Sequence, residues 1–230
     1  MKVCNYWVLS MLYLIFPFTL SSQSLSKYQQ SISPDFVKAL PVLIGWSVKG
    51  KLAFAHYQST LPGYGPASVS LVTVFDAVSD KSVESIGTDT EGKIGNNSYS
   101  TFSAFWNREQ SAISQLLEKH QIKPGNKFPL KEIDKLYETL GLTLDIEHGE
   151  PDDPSLAGLI AARIRVSNRE GKKKILFASE GSYSTYKIIG YYTSPYENRV
   201  VFVAEISHGG PEQGEISYRL IGCHTKNRFQ

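Results

Sequence analysis

Residues 44–54 read IGWSVKGKLAF and residues 189–202 read IGYYTSPYENRVVF. Each stretch runs from an apolar residue through Gly and an aromatic residue to Ser, crosses a short polar turn, and enters an apolar segment that contains Phe. This pattern predicts two β-hairpins in which Gly50 or Asn198 adopts a positive φ angle. The basic residue that follows, Lys51 or Arg199, is expected to stay in solvent as the next strand begins. The two copies predict two related half-sheets that pack together. The alternative is that the two stretches are similar only because β-hairpins share a common composition.

Further strand patterns surround the two hairpins. β-Branched residues nearly alternate in residues 68–76, SVSLVTVFD, and short apolar runs separated by turn residues fill the last third of the chain. The remaining runs predict strands at 52–57, 83–86, 158–166, 174–178, 183–191, 199–206 and 215–222.

The middle of the chain changes character. From Tyr99 to His120 the apolar residues recur with helical spacing, and the opposite face is charged. A second helical stretch covers residues 130–137 and stops at Gly141, a residue suited to a helix C-terminus. A helical insert at about 98–140 between two strand-rich thirds predicts an α+β, mostly β fold with antiparallel sheets.

The N-terminus has the features of a secretory signal peptide. Lys2 supplies a positive charge, residues 6–20 are uncharged and mostly apolar, and small or polar residues follow at 21–24. An apolar run of this length is shorter than the roughly 20 residues that span a bilayer. We expect cleavage after Ser24, with Ser21 as the alternative, and export to the periplasm or the extracellular space. An uncleaved anchor is the other interpretation of the apolar run.

The expected organisation is a signal peptide at 1–24, a polar linker at 25–38 and one secreted β-rich domain at 39–228. No integral membrane segment is expected after cleavage. Cleavage would remove Cys4 and leave Cys223 as the one cysteine of the mature protein. A single cysteine excludes a disulfide framework and a cysteine-rich zinc site, and we expect Cys223 to be a buried strand residue.

Composition and motifs exclude several function classes. The net charge is +2, and no basic face favours nucleic acid as a partner. Residues 45–52 approach the spacing of a phosphate-binding loop, but Leu52 stands where Mg²⁺ binding needs Ser or Thr. No catalytic residue, metal ligand or cofactor-binding residue can be assigned, and no cofactor is expected. The carboxylates around His148, at 147–154, suit either a cation site or a solvated acidic loop.

Aromatic residues near the two hairpins suggest a ligand surface. If the hairpins pack side by side, their tyrosines and the loops at 61–66 and 208–214 would line one concave surface suited to a peptide or a glycan. The candidate ligand residues are Tyr57, Tyr64, Tyr191, Tyr192, Tyr196 and His208. The alternative is that most of these tyrosines complete the core.

The order of these features resembles a bacterial family of predicted secreted proteins of unknown function. Some turns are similar to the Ser-Pro-Asp-Gly-Lys turns of periplasmic β-propellers, although two copies are too few for a propeller of about 4 blades or more. The matching motifs are GWSxxGKLAF at 45–54, VSLVTVFD at 69–76, LLxxHxI at 116–122, SPYENRVVFV at 194–203 and GGPExG at 209–214. The resemblance covers nearly the whole mature chain, but Val48-Lys49 stands where the family commonly has Asp. Because the family has no established activity, the resemblance implies export and fold only.

We therefore expect an exported, non-enzymatic domain that binds an envelope protein, a peptide or a glycan. The first alternative is a secreted hydrolase that uses His208 or His56 with Glu205 or Glu212. Such an enzyme would need a histidine, a carboxylate and a nucleophile in one cleft. The second alternative is a purely structural envelope protein.

Overall fold

The computed structural model describes residues 41–59, 68–87, 102–125, 128–152, 154–156, 158–208, 215–226 and 229. These residues all belong to one compact unit, Ile32–Gln230. The strands are β1 (Val42–Trp46), β2 (Lys51–Ser59), β3 (Ser68–Asp76), β4 (Lys81–Gly87), β5 (Lys123–Pro124), β6 (Leu142–Gly149), β7 (Ile160–Asn168), β8 (Lys173–Ser182), β9 (Ser184–Thr193), β10 (Arg199–His208) and β11 (Glu215–His224). In the described ranges the helices are α1 (Phe102–Lys119) and α2 (Leu136–Leu140), with short 3-10 helices at Ile133–Lys135 and Pro154–Leu156.

The described strands form three antiparallel sheets. Sheet A has the order β4-β3-β2-β1-β5, sheet B the order β11-β10-β9, and sheet C the order β6-β7-β8. The fold is therefore α+β and mostly β, with sheets from both ends of the chain and a helical insert between them, as predicted. None of the helices in the described ranges is long and apolar enough to cross a membrane.

Sheet B lies between sheets A and C. Residues 200–204 of β10 are fully buried, which gives a continuous apolar run instead of the alternation of a half-exposed strand. Val201 packs in one core cluster with Trp46 of sheet A. Phe202, the next residue, packs in a second cluster with Ile164 of sheet C. Sheet B thus has an apolar core on each face.

The repeated sequence corresponds to a repeated structure, in which β1-β2-β3 of sheet A matches β9-β10-β11 of sheet B. In sheet A the Gly50 carbonyl accepts a hydrogen bond from the Ala77 amide, and in sheet B the Asn198 carbonyl accepts one from the Thr225 amide. The two half-sheets pack together, as predicted. Gly50 has the predicted positive φ, 78°. Asn198 does not, because the second turn, residues 194–198, is longer and closes with a different geometry.

Helix α1 contacts β3 and β4 and covers the face of sheet A that points away from sheet B. Its buried side chains are Phe105, Trp106, Ile113, Leu116 and Leu117, which belong to the predicted helical stripe. After α1 the chain runs along two sheet edges. Lys123 pairs with Trp46 on β1, and Lys131 pairs with Tyr191 on β9. One stretch of chain therefore borders both half-sheets.

Two elements of the central part differ from the predictions. The stretch predicted as one helix at 130–137 forms a 3-10 turn followed by α2, although it ends as predicted at Gly141, with φ 66°. Strand β6 was not predicted, even though its residues 142–147, LTLDIE, alternate between apolar and polar. Part of the predicted acidic loop therefore belongs to a strand.

Candidate ligand-binding site

The two ends of the packed sheets A and B differ in character. At one end the turns touch each other: the Asp80 carboxylate accepts a hydrogen bond from the Gly222 amide at 2.5 Å. The Arg199 guanidinium donates to the Glu197 carboxylate and to the Ala77 carbonyl, each at 2.9 Å. Arg199 is therefore largely buried, contrary to the expectation that it stays in solvent, because turns of both sheets pack around it. These contacts make this end a structural joint.

Cys223 lies beside this joint and is fully buried, as expected. Burial raises the pKa of its thiol to about 11, and the Lys174 ammonium lies 4.0 Å from its sulfur. A thiol with such a pKa is protonated at neutral pH and is a poor nucleophile. The structure thus gives Cys223 a packing role.

The opposite end of the two sheets is where two chain connections leave them. The last pair of the β2–β3 ladder is Ser59–Ser68, and the last pair of the β10–β11 ladder is His208–Glu215. The connections themselves, with the predicted ligand loops, lie outside the described residues. We call this end the loop end and the other the turn end.

Three polar side chains lie between sheets A and B near the loop end. His56 on β2 and Tyr218 on β11 meet edge to face, with ring centroids 6.4 Å apart and planes at 61°. Glu205 on β10 is the direct register partner of Tyr218. Val203 and Leu220 point from sheet B toward sheet A. Glu205 and Tyr218 lie two residues further along their strands, nearer the loop end. Because every second residue of a strand points to the same side, they also point toward sheet A. We call His56, Glu205 and Tyr218 the inter-sheet polar group.

The electrostatics of this group keep the phenol neutral, and the described part of the chain gives the carboxylate no paired cation. Burial, and to a smaller extent the negative charge of Glu205, raises the pKa of Tyr218. Within the described ranges no residue forms a hydrogen bond or an ion pair with the Glu205 carboxylate. Lys187, its register partner on β9, is exposed and makes no salt bridge to it. The group therefore offers a partly buried anionic acceptor beside two aromatic rings.

His120 is part of a different network, on the other side of sheet A. The Lys51 ammonium donates to His120 Nδ1 at 3.3 Å, and His120 Nε2–H donates to the Glu84 carboxylate at 2.8 Å. Lys119 also binds Glu84. Lys51, which was expected to stay in solvent, is partly buried because the end of α1 lies against the start of β2. Since both ring nitrogens are engaged, His120 joins α1 to sheet A and has no free nitrogen to act as a base.

The structure separates the tyrosines that the sequence grouped as a ligand surface. Tyr191 and Tyr192 lie in the core clusters on opposite faces of sheet B, because consecutive residues of a strand covered on both sides are both buried. Tyr196 is 42% exposed but lies at the turn end, with the Lys123 ammonium 5.7 Å from its ring centroid.

The other three candidates belong to the loop end or to its connections. Tyr57 follows His56 on β2, and His208 is the last residue of β10, so both backbones are near the inter-sheet polar group. Tyr64 and Glu212 lie outside the described residues.

The acidic segment after β6 is neutralised in part by arginines. Arg165 pairs with Glu147, and Arg163 pairs with Asp152 at 3.0 Å. His148 Nε2 accepts a hydrogen bond from the Tyr186 amide, which joins sheet C to sheet B. No cluster of three or more potential metal ligands occurs in the part of the chain that the structure describes. Asp153 of this segment lies outside the described residues, so the choice between a cation site and a solvated acidic loop stays a prediction.

Sequence reasoning named His56 and Glu205 but did not single out Tyr218, because its role depends on the register of β11 against β10. Together these residues can accept and donate hydrogen bonds, bind a positive charge and stack on a flat group. No family model matches the chain, and neither the curated proteins nor the solved structures include one that is significantly similar to it.

Proposed function

We propose that this chain is an exported, non-enzymatic domain that binds a peptide or a glycan at the loop end of sheets A and B. The observation that carries the proposal is the inter-sheet polar group. A partly buried carboxylate, which forms no ion pair with any of the described residues, sits beside Tyr218 and His56 at the end of an apolar core. Concave sites with apolar walls and a few convergent polar groups are the common form of ligand sites.

Export is proposed on the residues of the N-terminus alone. A charged start, an uncharged apolar run at 6–20 and small residues at 21–24 are typical of a cleaved signal. The resemblance to predicted secreted proteins agrees with this proposal. Intact-mass measurement on protein recovered from the periplasm would show a chain that begins after Ser24 or Ser21. Recovery of the full-length chain only from the cytoplasm would overturn export.

Binding can be screened with defined probes. Thermal-shift titrations of the mature domain against a tripeptide set and a chito-oligosaccharide set would be followed by repeats on Glu205→Gln. The matched control is Glu138→Gln, an exposed carboxylate on α2. We expect at least one probe class to stabilise the wild type and the control more than Glu205→Gln. A stabilisation that is equal in all three proteins would place binding elsewhere, and its absence for both classes would overturn the proposal.

A hydrolase is the second candidate function, because His56 and Glu205, which the sequence paired as catalytic candidates, belong to the same inter-sheet polar group. The His56 ring meets the Tyr218 ring edge to face, with the ring centroids 6.4 Å apart. Turnover of ester, peptide or glycoside substrates by the purified domain, lost in His56→Gln, would favour the hydrolase over the binding domain.

A further inference from the structure

We propose that the ligand carries a protonated amine, which is held by the Glu205 carboxylate and the face of the Tyr218 ring. This inference rests on the proposed function, since it names the chemistry of the same site. A lysine side chain or the amino terminus of a peptide is the group that fits.

The first step in the argument is the state of Glu205. It belongs to the face of sheet B that packs on sheet A and is only partly exposed. Partial removal from water disfavours an isolated charge, so a cation placed beside a carboxylate in such a position stabilises it. None of the residues in the described ranges provides that cation, although Lys187 lies directly opposite on β9 and is exposed. A cationic ligand group would supply the counter-charge that the described residues do not give Glu205.

The second step is the neighbourhood of the carboxylate. Tyr218 stands opposite Glu205 in register, and its neutral phenol has an electron-rich ring face. Cations are attracted to such faces within about 6 Å of the ring centroid. His56 touches the same ring and limits the orientations that Tyr218 can adopt. A carboxylate next to an aromatic face is the combination that binds alkylammonium groups.

The third step distinguishes this ligand from a neutral glycan and from an anion. A sugar ring that stacks on Tyr218 can donate hydroxyl hydrogen bonds to Glu205, but a neutral sugar does not neutralise the charge of the carboxylate. An anionic ligand would be repelled by Glu205, whereas the charge of the exposed Lys187 opposite it is weakened by solvent and salt. The charge of the ligand is therefore the property that tests the inference.

The experiment is isothermal titration of the mature domain with two peptides that differ in one charge. Acetyl-Gly-Lys-Gly-amide carries the amine, and the same peptide with an acetylated lysine does not. We expect the charged peptide to bind about tenfold more tightly, which is the effect of about 1.4 kcal/mol for a charge-assisted contact. We also expect its binding to weaken with added salt.

Three variants assign the effect to this site. Glu205→Gln should lose the roughly tenfold preference, Tyr218→Phe should keep most of it because the ring remains, and the control Glu138→Gln should keep all of it. Urea unfolding would verify that each variant is folded. Equal binding of the two peptides, or an equal preference in Glu205→Gln, would overturn the inference.

The outcomes separate this inference from the proposed function. Binding of chito-oligosaccharides or acetylated peptides at the loop end without any charge preference would leave the binding function in place and overturn the amine. Absence of binding for every probe would overturn both.

Discussion

Ile44 and Ile189 occupy equivalent positions in two different sheets. Each is the extra residue of a β-bulge: the ladder to the neighbouring strand skips it and resumes at the following glycine, Gly45 in sheet A or Gly190 in sheet B. Both glycines then lie against the same stretch of chain, which borders the two sheets. The sequence similarity of the two hairpins therefore extends to their irregularities and their edge partners.

The bulge glycines should tolerate no side chain. A Cβ atom at Gly45 would meet the Lys123 carbonyl, and one at Gly190 would meet the Lys131 carbonyl at 2.7 Å. We expect Gly45→Ala and Gly190→Ala each to lower the free energy of unfolding by about 1–3 kcal/mol, measured by urea denaturation. The control is Gly149→Ala on β6, where the added carbon meets nothing within 4 Å. Equal urea midpoints for Gly45→Ala, Gly190→Ala and Gly149→Ala would contradict the close approach of backbone carbonyls to the two bulge glycines.

The adjacent tyrosines Tyr191 and Tyr192 should respond oppositely to loss of their hydroxyl groups. The Tyr192 hydroxyl donates to the Pro41 carbonyl at 2.8 Å, so Tyr192→Phe should cost about 1 kcal/mol of unfolding free energy. The Tyr191 hydroxyl is buried and has no hydrogen-bond partner among the described residues. Tyr191→Phe should therefore be neutral or stabilising, by up to about 1 kcal/mol. Chemical denaturation of both variants is the measurement, and a larger loss for Tyr191→Phe would contradict these positions.

Asp80 should make the stability of the fold depend on pH in the acid range. Burial raises the pKa of Asp80 above its usual 3.8, despite the Gly222 amide that favours the charged form. As the pH rises, Asp80 loses its proton at a lower pH in the unfolded chain than in the folded protein. The contribution of Asp80 to the free energy of unfolding therefore falls as the pH rises from 3.8 through the folded-state pKa. Below 3.8 both states are protonated and the contribution is fully present.

Two substitutions separate the charge of Asp80 from its hydrogen bond. Asp80→Asn keeps an acceptor for Gly222 and suits the φ angle of 55°, so it should be at least as stable as wild type at pH 7 and remove this part of the pH dependence. Asp80→Ala should lose about 1 kcal/mol because the Gly222 amide loses its partner. Urea midpoints measured from pH 3 to pH 7 test both statements, and a pH profile for Asp80→Asn that matches wild type would refute the first.

Cys223 should be unreactive in the folded protein. Its thiol is fully buried and its pKa is raised to about 11, so both access and thiolate formation are suppressed at pH 8. We expect Ellman's reagent to label it only as fast as the protein unfolds, and the labelling rate to rise with urea. In protein that lacks residues 1–24, and with them Cys4, rapid labelling without denaturant would show that the joint between the sheets opens locally.

Much of the local structure was predictable from the sequence. The bounds of β1 and β3 follow from short-range turn and alternation signals, and Gly141 ends its helix as its residue type suggests. The order of the layers was not predictable, because sheet C precedes sheet B in the chain while sheet B lies in the middle. Burial of Tyr191 and Tyr192 follows from that order and could not be read from their own positions.

The candidate site was predictable only in part. His56 and Glu205 could be named as residue types with useful chemistry, but β2 and β10 lie far apart in the sequence. Their proximity depends on how two sheets pack, and the contribution of Tyr218 depends on strand register. Neither property leaves a local pattern in the sequence.

The most direct test of the proposed ligand site is a residue-resolved titration. Amide ¹⁵N–¹H spectra of the mature domain would be recorded with increasing acetyl-Gly-Lys-Gly-amide, and separately with a chito-oligosaccharide. We expect saturable shifts at residues 54–57, 203–207 and 216–219, around the inter-sheet polar group, and little change at the turns 47–50 and 77–80. Shifts confined to those turns, or none with either probe, would contradict a ligand site at the loop end.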